Sequence, residues 1–431
     1  MTEPVVHAES RPLPLALKHF AIAILLFSVI GVSLASYLHT RVLSPNEFHF
    51  ADLYVFQPSF KLYGTPAFYN EVRGENTRWT YPDTMAPLYR ALYATHHPLA
   101  TYLTSVTVIV ALGLVTFVGQ LRKRGISLRT AILFSSLTVA ISYPLWVMID
   151  TSNLELFIVL VVALGITAYL SGRFWWAGAF LGLAAAFKLL PIIFLSLLFS
   201  RKHYRQLLFG LAVGGAYFIG SHWIVGPSLM EALRGTGGGL DAYTVHNGYG
   251  IRPRDIGFDH SLLTLVKQGY LILQTLGGPM AMKMPQIYRL YMLTAALLGT
   301  ILYFTRIRKL PPLNQALAIT VLALLLPPVS YDYRLCLLYA PWAFLVLFIL
   351  DGKREPTQPT TSLLFLFAIL FTPQNYLYYW IGKYGVIFAV NYGAQVKVLL
   401  MLGVLYLVLR YPLVHSEPEL PQAPAVVMLE A

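Results

Sequence analysis

The 431-residue chain is 57% apolar and 12% charged, with a mean hydropathy of +0.63. A soluble domain carries about a quarter charged residues, so this composition excludes a soluble enzyme and leaves one membrane domain with loops. The net charge of +12 is not a nucleic-acid stripe, and no nucleic-acid partner is expected. Basic residues gather in short loops between apolar runs: Arg122-Lys123-Arg124, Arg201-Lys202 with Arg205, Arg306 with Arg308-Lys309, and Lys353-Arg354. That pattern retains loops in the cytosol. Cys336 alone excludes an intrachain disulfide framework and reads as a packing residue.

In chain order, Leu15 to Leu38 is the first crossing, too long for a signal-peptide core and followed by no small-residue cleavage site. Arg11 and Lys18 place the N-terminus in the cytosol. An aromatic outer loop covers about 40–97; within it Asp52 to Tyr63 and Pro82 to Tyr93 predict short helices at the membrane interface. Crossings follow at about 98–120, 130–149 and 154–170, the last two joined by the turn Asp150-Thr151-Ser152-Asn153.

The segment 174–199 is apolar but has basic clusters on both sides, and Lys188 and Pro191 interrupt it. Proline has no N–H to donate, and irregular backbone at membrane depth survives only inside protein or a wet cavity. Two half-helices that dip in and return keep the later basic loops cytosolic, whereas a full crossing inverts them; the re-entrant reading is preferred. A crossing at 206–226 leads to a second outer loop, about 227–286. Its Gly235 and Gly237-Gly238-Gly239 read as flexible chain, with an interfacial helix at Ser261 to Gln274. Further crossings are expected at about 287–305, 314–329, 335–350, 362–380 and 394–409. The fold class is thus an all-α polytopic membrane protein with about ten crossings plus a re-entrant pair. One domain spans 1–412, both termini are cytosolic, and the Pro- and Glu-rich tail, 413–431, is expected to be disordered in the cytosol. No inverted repeat is legible.

A charged side chain at the centre of a membrane helix costs about 2.5–3.5 kcal/mol on insertion scales, so charges within or beside the crossings are the functional candidates. Asp52 lies in His49-Phe50-Ala51-Asp52-Leu53-Tyr54. Its apolar neighbours raise a carboxyl pKa as suits a general base; the plainer reading is a cap on the helix that starts there. Lys188, in Ala186-Phe187-Lys188-Leu189-Leu190-Pro191, is either a point charge for an anionic headgroup or a lysine snorkelling to the interface. Asp150, Asn153 and Glu155 cluster at one outer turn, where Asn153 reads equally as a turn residue and the two carboxylates equally as solvated groups. Arg334, in Tyr331-Asp332-Tyr333-Arg334, pairs with Asp332 or clamps a phosphate. His246, Arg252, Arg254 and His260, in the second loop, lack zinc-ligand spacing. The glycines there lack the strand-to-helix context of a phosphate loop. No metal and no cofactor are expected.

Three segments carry a family resemblance. The first is Asp52-Leu53-Tyr54-Val55-Phe56, with Gly64-Thr65-Pro66-Ala67-Phe68-Tyr69 and Thr80-Tyr81-Pro82 after it. The second is Asp150-Thr151-Ser152-Asn153-Leu154-Glu155-Leu156. The third and most specific is Ala177-Gly178-Ala179-Phe180-Leu181-Gly182-Leu183-Ala184-Ala185-Ala186-Phe187-Lys188-Leu189-Leu190-Pro191. Their order resembles the polyprenol-phosphate-sugar-dependent mannosyltransferases of glycosyltransferase family 87, of the GT-C superfold, well over about residues 20–225. Ser152 stands where the family's turn usually has Gly.

The resemblance implies an enzyme that moves a sugar, by default mannose, from a polyprenyl-phosphate carrier to a glycolipid or glycan acceptor. Asp52 would be the catalytic base of an inverting displacement, and Lys188 and Arg334 the donor-phosphate ligands. Tyr81, Asn153, Glu155, His246, Arg252 and His260 would contact substrate. It further implies a multi-pass protein among the lipids of a bacterial plasma membrane, with its site facing outward. A phosphate there meets Lys188 only if the re-entrant segment reaches deep. Two rival readings remain: a transporter or flippase that uses Lys188 and the broken helix as a midplane site, and a membrane scaffold. The two long loops on one face favour the enzyme.

Overall fold

Backbone amides find no water in hydrocarbon, so an apolar chain of this kind satisfies them within helices. A computed structural model of the chain describes residues 11–37, 49–70, 81–226, 228–251, 256–277, 282–352, 356–374, 378–383, 386–391 and 393–414. In order, the helices are α1 (Leu15–Tyr37), α2 (Ala51–Val55), α3 (Ala67–Asn70), α4 (Ala86–Tyr93), α5 (Pro98–Lys123), α6 (Leu128–Ala140), α7 (Tyr143–Thr151), α8 (Glu155–Leu170), α9 (Phe174–Phe187), α10 (Ser196–Ser200), α11 (Tyr204–Val225) and α12 (Leu229–Tyr243). They continue with α13 (Leu262–Thr275), α14 (Met284–Thr305), α15 (Pro312–Leu325), α16 (Tyr339–Asp351), α17 (Gln358–Leu370) and α18 (Gly393–Arg410). The chain is an all-α polytopic membrane protein; among the described residues one antiparallel strand pair is the exception.

Among the described residues six helical stretches are long and apolar enough to cross a bilayer, and α6 with α7, bent by 53°, makes a seventh. The count differs from the ten expected. Helices α8, α15 and α17 have 16, 14 and 13 residues, a rise of about 20–24 Å against a hydrocarbon core of roughly 30 Å. Helix α15 is buried all round, from Leu313 to Leu325, which is why its sequence shows no polar face. The crossing expected to end at Trp380 stops at Leu370 instead, and Tyr378–Lys383 pairs antiparallel with Val386–Asn391. Pro373 cannot continue the helix, and the residues beyond are mainly aromatic and β-branched.

One end of the bundle is tied by basic residues. Arg11 Nη1 donates to the Leu350 carbonyl at 2.8 Å, and Arg124 Nε meets Asp351 at 2.7 Å. The helices that begin or end there place Asp52, Asn153 and Arg334 at the opposite end.

The broken segment returns to where it started. Lys188 is extended (φ −154°, ψ 136°) and ends α9; a 3₁₀ helix, Leu190–Leu195, leads into α10. The rings of Phe174 and His203 stack at 3.7 Å, so the two ends of the segment meet. Helix α11 then runs parallel to α9. Gly178 and Gly182 lie against the backbone of Gln206, Gly210 and Gly214 so closely that a Cβ at Gly182 would overlap the Gly210 carbonyl. Two small-xxx-small repeats, 178/182 and 210/214, permit that approach.

The second loop is more ordered than expected. Its glycine run lies inside α12, started by Ser228, whose Oγ accepts the Glu231 N–H at 3.3 Å. Gly235 is there because the ring of Tyr69 occupies the place of a side chain. The chain beyond 412 does not leave the bundle at once: Leu413 is buried and its N–H donates to Asn314 Oδ1 at 2.8 Å. The expected tail beyond 414 lies outside the described residues, as does the segment 71–80.

Candidate active site

Asp52 sits in the first turn of α2, and it does not cap that helix. The N-cap is Phe50, with no side-chain bond and a left-handed backbone, φ 61°. The Phe50 N–H donates to the Asp150 carbonyl at 2.6 Å, and His49 Nδ1 lies 2.5 Å from Asp150 Oδ1. The loop after α1 is thereby fastened to the turn after α7. Across that seam Asn153 Nδ2 donates to Asp52 Oδ2 at 2.8 Å and to the Tyr81 hydroxyl at 3.3 Å.

Asn153 is buried, and both faces of its amide are used: its Oδ1 accepts the Glu155 N–H at 2.8 Å. It is a turn residue and an Asp52 partner at once. Ser152 before it is left-handed, φ 54°, a conformation that favours glycine. Of three non-glycine residues with positive φ among the described residues, two, Phe50 and Ser152, flank the Asp52–Asn153 pair. Such backbone persists where the surroundings over-determine it.

Glu155 is the centre of the charge cluster. Its carboxylate accepts from Lys188 Nζ, from Arg334 Nε at 3.1 Å and Nη2 at 3.3 Å, and from the Tyr333 hydroxyl at 3.4 Å. Arg334 therefore pairs across the fold with Glu155 and not with its neighbour Asp332. Lys188 does not snorkel away; the break in α9 brings it to Glu155, with the Tyr81 ring 5.5 Å from its ammonium. Thr84 secures the approach, donating to the Ala186 carbonyl at 2.7 Å. Asp52, Tyr81, Asn153, Glu155, Lys188 and Arg334 thus converge, from segments 282 residues apart at the extremes (334 minus 52).

Burial pushes the Asp52 carboxyl up from 3.8 to about 6; the Asn153 bond opposes the rise, the Glu155 charge adds to it and the Lys188 charge opposes it. At neutral pH the group is ionised yet basic enough to take a proton. Burial also raises the Tyr81 hydroxyl far above its ordinary range, with Asp52 and Glu155 adding to the rise, so it remains a neutral donor or acceptor.

His260 lies in a second network. It is fully buried, its Nδ1 3.2 Å from Asp332 Oδ1 and its Nε2 3.0 Å from Ser330 Oγ. Lys397 Nζ donates to Asp332 Oδ2 at 2.6 Å, and the Tyr143 hydroxyl donates to the same oxygen at 2.6 Å. These bonds seat the Arg334 segment against α7 and α18, so His260 supports Arg334 from behind. His246 lies in a π turn, Thr244–Gly248, at the end of α12. Arg252 and Arg254 lie outside the described residues.

Tyr333 and Tyr243 join the site although neither was a candidate from the sequence. Tyr243 ends α12, and its hydroxyl is raised mainly by burial, with Arg334, Glu155 and Asp52 close enough to act on it. The glycine run hid the helix that delivers it. Tyr333 adjoins Arg334 in sequence, and that adjacency was the available signal.

The sequence pattern of glycosyltransferase family 87 matches residues 79–328, more than half the chain. No curated protein and no solved structure matches. The matched stretch contains Tyr81, Asn153, Glu155 and Lys188 and stops just short of Arg334. The chain belongs to glycosyltransferase family 87 and is a multi-pass membrane glycosyltransferase.

Proposed function

We propose that the enzyme moves a sugar, mannose by the family resemblance, from a polyprenyl-phosphate carrier to a hydroxyl of a glycolipid or glycan at the outer face of a bacterial plasma membrane. The observation that carries this reading is the geometry: the Asp52 carboxylate is held by Asn153 at 2.8 Å beside Lys188, a partly exposed cation on Glu155. The acceptor O–H loses its proton to Asp52 as its oxygen forms a bond to the anomeric carbon. The bond from that carbon to the phosphate oxygen breaks, and its electron pair leaves with the phosphate. The configuration inverts in one displacement. A polyprenyl phosphate is stable as an anion, so the leaving group needs charge stabilisation and no proton. An apolar groove lined by Ile192, Leu195, Phe199, Leu207, Tyr303 and Phe304 lies along the segment that follows Lys188 and suits a prenyl chain.

The test uses the protein purified in lipid, radiolabelled polyprenyl-phosphate mannose and a membrane-lipid extract. Label passing to a new glycolipid with wild type and not with Asp52→Asn supports the reading. Transfer that survives the substitution removes Asp52 from the role of base. Folded protein that carries label across a bilayer without transferring it would replace the enzyme with a transporter.

A further inference from the structure

The two cations at Glu155 are not equivalent. The Arg334 side chain is 5% exposed and each nitrogen of its guanidinium has a partner: Nε and Nη2 on Glu155, Nη1 on the Val329 carbonyl at 2.5 Å. The Lys188 side chain is 23% exposed. Its ammonium has three hydrogens, and Glu155 takes one. We infer that the two cations divide the work: Lys188 contacts the donor phosphate, while Arg334 is a positioning residue acting through Glu155, and Glu155 is a built-in counter-charge that competes with the phosphate for Lys188 and releases the product. This rests on the reading of the donor as a polyprenyl-phosphate sugar.

The chemistry of the leaving group supplies the reason. The donor is a phosphodiester with one negative charge. The product is a phosphomonoester with between one and two charges at neutral pH, since such groups have a second pKa of about 6. Two unopposed cations in a poorly solvated site would hold that product more tightly than the donor. With Glu155 between them, Lys188, Glu155 and Arg334 together carry one positive charge. Glu155 is well placed to stay ionised, in the first turn of α8, where the helix dipole favours a carboxylate. Its charge also opposes that of Asp52, so one carboxylate sets both the affinity for the leaving group and the basicity of the base.

The experiment measures donor KM, kcat and inhibition by a short-chain polyprenyl phosphate for wild type, Glu155→Gln, Glu155→Asp, Lys188→Gln and the double variant Glu155→Gln/Arg334→Gln. Glu155→Gln is expected to lower the product inhibition constant by about tenfold, equivalent to about 1.4 kcal/mol. Its kcat falls, its donor KM does not rise, and the acid limb of its pH profile moves to lower pH because Asp52 loses a negative neighbour. Glu155→Asp restores part of the release rate. Lys188→Gln raises donor KM. The double variant removes one charge of each sign, so the cluster keeps a net charge of one, and it retains phosphate inhibition through Lys188. Product inhibition that weakens or stays unchanged in Glu155→Gln overturns the inference, as does a double variant that no longer responds to polyprenyl phosphate. Wild type that neither responds to polyprenyl phosphate nor transfers sugar from its ester overturns the donor reading, and this inference with it.

Discussion

Asn153 holds Asp52 through one end of its amide and the first backbone N–H of α8 through the other, at 2.8 Å in each case. Asp52 and the helix that presents Glu155 are therefore set by one side chain. Replacing Asn153 with Ala removes a bond that holds the Asp52 carboxyl down. The acid limb of the activity–pH profile should move up from about 6, with a loss of kcat/KM at all pH values. A limb that stays in place would mean that Asn153 does not act on the Asp52 carboxyl.

Asp52→Asn should lower kcat by about 10²–10⁴, the usual contribution of a general base. In wild type, activity should fall about tenfold per unit below pH 6, as Asp52 takes up its proton. Stability carries the opposite sign. The folded value lies above the unfolded one, so the native state binds more protons between about 4 and 6 and loses stability as pH rises through that window. Asp52→Asn should therefore melt higher than wild type at pH 7.5, and the difference should close as the pH falls below 4. Melting curves at the two pH values check this.

Ser152 is left-handed, and its buried hydroxyl has no partner among the described residues. Ser152→Gly should stabilise the protein by about 1 kcal/mol, the order of the left-handed penalty for a residue with a Cβ. Transfer activity should be kept. A lower melting temperature for the glycine variant would show that the serine hydroxyl stabilises this turn.

Lys397 and Asp332 are both buried and 2.6 Å apart. Asp332→Asn or Lys397→Met alone should cost about 3–5 kcal/mol, because each strands a buried charge. The double substitution should cost less than either single one. The yield of folded protein in detergent and its melting temperature, taken round the four-variant cycle, test the coupling.

Gly182 meets the Gly210 carbonyl, whereas Gly113 has open space around it. Gly182→Ala should separate α9 from α11, displace Lys188 and reduce both folded yield and activity. Gly113→Ala, in the middle of α5, should be neutral or slightly stabilising.

The apolar runs were legible because each must be helical to satisfy its own backbone in lipid, and α1, α5 and α11 fall within about three residues of the expected limits. The broken segment was legible because Lys188 and Pro191 are costly in an uninterrupted helix. The glycine run was misread as flexible chain, since propensity could not foresee that Gly235 faces the Tyr69 ring and that α12 packs there. The last stretch was misread because apolar composition does not distinguish a crossing from the hairpin beyond Pro373.

By itself the sequence determined that the chain is a polytopic membrane protein, and it identified Asp52, Glu155, Lys188 and Arg334 as residues needing an explanation, because charge is expensive in an apolar chain, and Asn153 through its place in the turn before Glu155. Only the tertiary structure decided their relations: Asn153 with Asp52, Glu155 between Lys188 and Arg334, Asp332 with Lys397 and His260. Each of these pairs joins residues at least 33 positions apart. Partner choice among buried charges depends on which helix ends meet, and the helix contacts that bring them together, such as the glycine faces of α9 and α11, carry no charge pattern from which it could be read.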